Sequence, residues 1–98
     1  MTVYVLNEVV YKQENNGNTT IIFKRLYEIA KDWEVSSKLI KEWNDKDYSD
    51  FDYEIKSIFI KIGMPEMTSK YYNDFLGSKH YKNGYGYRID SYPYKVKE

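Results

Sequence analysis

Five residues, ENNGN at Glu14–Asn18, separate two segments rich in Val, Ile, Tyr, Phe and Thr. Asn-Gly supplies the positive φ that tight hairpin turns demand, and β-branched and aromatic side chains fit a pleated surface. Thr2–Gln13 is therefore predicted as a strand, and Thr19 to about Tyr27 as its antiparallel return.

Helical signals follow the hairpin. Ser36 is a good N-cap for a helix from Ser36 or Ser37 to about Asn44, with Val35 and Ile40 placed to form a hydrophobic staple. Leu39, Ile40 and Trp43 then share one face. Segment 50–62, DFDYEIKSIFIKI, carries four isoleucines and so has β character. Its spacing nonetheless favours a helix: the face 51, 54, 55, 58, 59, 62 is apolar at five of six positions, against three of five on either strand face. Ser49 with Asp52 reads as a capping box, and Gly63 as the stop. Pro65 opens a further predicted helix to Leu76, ended by Gly77, with Met64, Thr68, Tyr71 and Phe75 as its buried stripe. From Lys79 onward the chain is tyrosine-rich, with a second Asn-Gly turn at Asn83–Gly84, a bend near Asp90–Ser91 and an edge position at Pro93. The expected fold class is α+β: an N-terminal antiparallel hairpin, two to three short helices and C-terminal strands, with one layer of helices on a small antiparallel sheet. No repeat or linker divides residues 1–98, which are expected to form one domain.

The chain has no cysteine, which excludes disulfides and thiolate metal sites and is unremarkable in a reducing compartment. MTVYVLNEVV has neither the basic segment nor the cleavage site of a signal peptide, and no apolar run approaches a membrane span, so a cytoplasmic protein is expected. Formal charge is zero, which fits neither a global nucleic-acid mimic nor a nonspecific nucleic-acid binder. The charge is unevenly placed. Asp32–Glu54 holds eight acids against three lysines, and Lys79–Glu98 five basic residues against two acids. Residues with AT-rich codons make up about half the chain, including 12 tyrosines, while Ala30 is the single alanine. That composition points to an AT-rich coding genome such as a low-GC bacterium, its phages or its plasmids.

The catalytic inventory is thin. One histidine, His80, stands in a polar segment, and NGYGYR lacks the strand-to-helix context and Lys-Ser/Thr ending of a phosphate loop. A calcium loop begun at Asp45 would need Gly at its sixth position and Glu at its twelfth, where the chain has Asp50 and Lys56. Paired-carboxylate catalysis needs one carboxyl in an apolar pocket, and acids this dense are expected to be solvated. No metal site and no cofactor are predicted. The stretch Asn44–Glu54 then has two readings. One is a helix start with a charged face; the other is an acidic, aromatic-edged strip, Asp45, Asp47, Tyr48, Asp50, Phe51, Asp52 and Tyr53, that docks on a basic protein partner. The tail is the alternative surface: Lys70, Lys79, Lys82, Tyr85, Tyr87 and Arg88 combine cations for phosphates with aromatics for base stacking, although alternating Tyr is also ordinary in an edge strand.

The stretch TSKYYNDFLG…NGYGYRI resembles the YY…GYR pattern of MerR-type and excisionase-type winged helices over about a third of the chain. The resemblance implies a helix-turn-helix with a wing. The chain departs from it in its N-terminal hairpin, in Phe59 where a small residue is usual, and in a recognition helix whose one basic residue is Lys70. The leading expectation is a non-catalytic interaction protein, phage- or mobile-element-encoded, that modulates or inhibits a host nucleic-acid-handling or defence complex. The second is a small winged-helix-like DNA or RNA binder, and an enzyme is the remote third.

Overall fold

The computed structural model describes residues 1–63, 72–75, 78–81 and 84–97. The hairpin forms as the turn chemistry predicts. Strand β1 (Thr2–Gln13) pairs antiparallel with β2 (Thr19–Ala30), and Gly17 takes a φ of 88° between them. Strand β2 runs three residues beyond the predicted Tyr27, because Ile29 and Ala30 still find partners in Val5 and Tyr4. Register shifts at Leu6/Asn7 and Val10/Tyr11 break the ladder twice.

Helix α1 spans Trp33–Asn44, a turn earlier than predicted. Its N-cap is Asp32, whose carboxylate accepts from the Val35 N–H at 2.9 Å; the predicted cap, Ser36, lies inside the helix and is fully buried. Asp and Ser cap about equally well, so the preference was decided by where β2 ends. A 3-10 turn at Tyr48–Asp50 leads to α2 (Tyr53–Lys61), which settles segment 50–62 as helical at its centre. The capping box predicted for Ser49 and Asp52 is instead formed by Asp47 and Asp50, and Asp52 caps α2 through the Ile55 N–H.

The helix predicted from Pro65 to Leu76 is corrected at its C-terminal end, where Tyr72–Phe75 is strand β3. Tyr, Asn, Asp and Phe are all weak helix formers, and β4 (Ser78–His80) offers an edge on which Tyr72 pairs with His80 and Phe75 with Ser78. The remainder of that prediction, with Lys70 and Gly77, lies outside the described residues, as does Lys82. The second helix that the winged-helix resemblance requires is thus a strand over 72–75. Strand β5 (Tyr85–Lys95) continues through the predicted bend at Asp90–Ser91, held by β1 along its length. Strand β4 pairs with it at Gly86–Arg88, so among the described residues the Pro93 end has no strand on the side away from β1, which suits a residue without an N–H.

The strands form one antiparallel sheet in the order β2-β1-β5-β4-β3. Leu6 and Val10 of β1 and Tyr87 and Ile89 of β5 join Trp43 of α1 and Phe51, Ile55 and Phe59 of the α2 segment in one core. The helices therefore lie on one face of the sheet, giving the expected α+β architecture. Among the described residues no helix is long and apolar enough to cross a membrane.

Candidate functional site

The even-numbered side chains of β1 face the helices, and two of them, Glu8 and Lys12, are charged. Glu8 is 2% exposed. Its carboxylate accepts from Trp43 Nε1 at 3.0 Å, from the Tyr87 hydroxyl, and from Arg25 Nε at 2.6 Å. A buried carboxylate is tolerated when its lone pairs are filled and a cation sits beside it. Arg25 in turn reaches Asp52 and Glu54, so one guanidinium ties the edge strand to the start of α2. Burial alone would lower the Arg25 pKa, yet hydrogen bonds to Asp52, Glu8 and Glu54 hold it above its ordinary value. The same Arg25 bond is the main cause that keeps Asp52 below the usual carboxylate range. Burial, reinforced by the charge on Glu8, pushes the Tyr87 phenol up.

Lys79 forms a second polar knot. It is fully buried, and its Nζ donates to the carbonyls of Asn44 at 2.8 Å and Lys46 at 3.0 Å while standing 4.8 Å from the centre of the Trp43 ring. An ammonium at the C-terminal end of a helix satisfies carbonyls that have no intrahelical partner. Burial lowers its pKa to about 8, against the opposing pull of Asp45 and Asp47. The acidic segment and the basic tail, opposite poles in the sequence, thus meet at this one lysine.

These contacts sort the predicted site residues. In the acidic strip Phe51 is core, packed edge-on to Tyr87 at 5.3 Å, and Tyr48 is half-buried, stacked on Phe59 at 6.2 Å. Asp47 and Asp50 cap the 3-10 turn and Asp52 caps α2, although all three are exposed. Asp45 is exposed, and Tyr53 is 84% exposed. In the tail, Lys79 and Tyr87 are interior. Tyr85 is half-buried beneath Lys12, and Arg88 lies over the Tyr11 ring while pairing with Asp90 at 3.0 Å. The strip therefore presents Asp45, Tyr53 and a row of carboxylates fixed by caps at one corner of the helix layer.

Glu8 and Arg25 were missed as a pair by sequence reasoning. The signal was a charge at an inward position between Leu6 and Val10, where strand alternation calls for an apolar residue. His80 is half-buried rather than exposed, with its Nε2 3.1 Å from Ser78 Oγ. Ser78 is 4% exposed. Among the described residues no three His, Asp or Glu side chains converge on a metal-sized space. An open depression at the end of the sheet is lined by Met1, Tyr94, Lys95, Val96 and Lys97.

The class defined by this architecture is a small α+β protein with helices on one sheet face, a buried Glu8 paired with Arg25 and a buried Lys79 bonded to helix-end carbonyls. Comparison with protein-family models, with curated proteins and with solved structures finds no match.

Proposed function

We propose that this chain is a non-catalytic, cytoplasmic interaction protein that modulates or inhibits a macromolecular complex, nucleic-acid-handling or defence machinery, through protein–protein contacts at its acidic corner. The observation that carries this reading is Tyr53, 84% exposed at the first position of α2 and flanked by exposed Asp50, Asp52 and Glu54. An aromatic side chain held at a rigid helix start, ringed by carboxylates whose positions the caps already fix, loses little freedom on binding. Such residues are typical interface anchors. The ionisable groups that could do chemistry support it too: Glu8 and Lys79 are closed off from any substrate and engaged in holding elements together.

The nucleic-acid alternative draws less support. Lys79 and Tyr87 are interior, and Arg88 already shares its charge with Asp90.

The test avoids the capping aspartates, whose loss would weaken the fold. Wild type and a Tyr53→Ala variant are used as bait in cell lysate, with and without nuclease. A specific protein captured by wild type, resistant to nuclease and lost with the variant, is the expected outcome. Capture that disappears on nuclease treatment, or that the variant retains, defeats the reading.

A further inference from the structure

An antiparallel sheet with helices on one side usually turns polar residues outward on the other. This one does not. Directly opposed residues of antiparallel strands share a face, so the register places Ile29, Val5 and Tyr92 in one row across β2, β1 and β5, on the side away from the helices. Leu26 and Tyr94 flank that row on the same side. Ile29 is 53%, Leu26 56%, Tyr92 41% and Tyr94 59% exposed. Farther along β2, Ile21 is 49% exposed on this face as well.

We propose that this open face is a homodimer interface, on which a second copy of the chain packs its own open face to make a sheet-on-sheet sandwich between two outer helix layers. Two observations select a second copy over a different partner. The first is charge. A two-fold contact brings identical groups near one another, which a charged face resists. The Arg88 and Asp90 charges on this face cancel in an ion pair at 3.0 Å, leaving Lys24 as the uncompensated charge among its β2, β1 and β5 positions. The second is area. Three strands of about 12 residues, at ~3.3 Å rise and ~4.8 Å spacing, bound the face at roughly 40 by 14 Å in projection. Asn7, Val9 and Tyr11 in its middle are already buried, so the exposed part falls short of the ~800 Å² per subunit of a standard stable interface and suits a weak, concentration-dependent dimer. Apolar and tyrosine-bearing at its exposed end, the face is complementary to itself, and aligned sheet packing at ~10 Å separation would bury that end. The inference is independent of the acidic corner, which lies on the opposite side of the molecule.

Sedimentation equilibrium of the full chain, from about 1 µM to about 500 µM, tests it. The expected mass moves from one chain to two with rising concentration. Leu26→Lys/Ile29→Lys should raise the dissociation constant by roughly tenfold or more, while Tyr53→Ala leaves it unchanged. Should the double variant lose its circular-dichroism signature of folding, Tyr94→Lys on β5 makes the same test from the other side of the row. A wild type that stays monomeric at the highest concentration overturns the proposal, and so does a dimer that folded face variants leave intact.

Discussion

Lys79 places an ammonium where desolvation is costly and offsets that cost with two helix-terminal carbonyls and the face of Trp43. Its pKa of about 8 has a consequence for stability. Free lysine titrates near 10.4, so between about pH 8 and that value the unfolded chain binds more protons than the folded one. Stability therefore rises with pH across this interval, and this contribution is lost as pH falls through about 8. Tyr87 acts in the opposite sense at the upper end. Burial beside Glu8 raises its pKa, so its contribution is present below the ordinary tyrosine value near 10 and declines above it. Urea unfolding at about pH 7.5 and about pH 9.5 should show wild type gaining on the order of 1–2 kcal/mol. In Lys79→Met the gain should vanish. An equal gain in that variant would place the titration elsewhere.

At the scale of elements, the caps and the ring packing hold the helices to the sheet. Trp43 is fully buried, meets Tyr87 edge-to-face at 4.9 Å and donates to Glu8. Trp43→Ala should cost roughly 3–5 kcal/mol in chemical unfolding, since it leaves both a cavity and a carboxylate short of a donor. A cost under ~1 kcal/mol would mean that α1 does not pack as described. Phe75, placed from the sequence in the buried stripe of a helix, belongs instead to a strand. How well each element could be read followed from how local its causes are. The hairpin and the identity of α2 rest on a turn dipeptide and a spacing pattern within a few residues. The start of α1 was misplaced because Asp32 and Ser36 are both good caps, and β3 because an apolar spacing read as a helical stripe outweighed a ladder partner, Ser78–His80, that follows closely in sequence. Gly86 is a further case: a Cβ there would stand 2.2 Å from Tyr11 Cζ, a steric limit that comes from the distant β1 strand.

Across the whole molecule, the zero net charge conceals a negative corner at the junction of α1 and α2. If that corner recruits a basic protein surface, its charges act over distance before contact and so govern encounter more than residence. With the captured partner in hand, Asp45→Lys alone should slow association severalfold at low salt and much less at high salt, with dissociation nearly unchanged. Stopped-flow measurement at two ionic strengths checks this. A change confined to dissociation would mean that Asp45 makes a buried contact rather than steering approach.

The hairpin, the helical period of α2 and the α+β class are legible in the residues alone, because turn geometry, capping and amphipathic spacing are properties of neighbours in the chain. The charged and hydroxyl-bearing residues were different. Nothing local distinguishes Lys79 from Lys95, yet one is fully buried against α1 and the other is exposed. Tyr87 and Tyr94 likewise occupy the same strand on opposite faces, one bonded to Glu8 in the core and the other bare. Which members of the acidic strip and the tyrosine-rich tail are consumed in the interior follows from the packing of the folded chain. Burial and ion pairing depend on which distant strands and helices come together, and the carboxylate that organises this core draws its three donors from β2, α1 and β5.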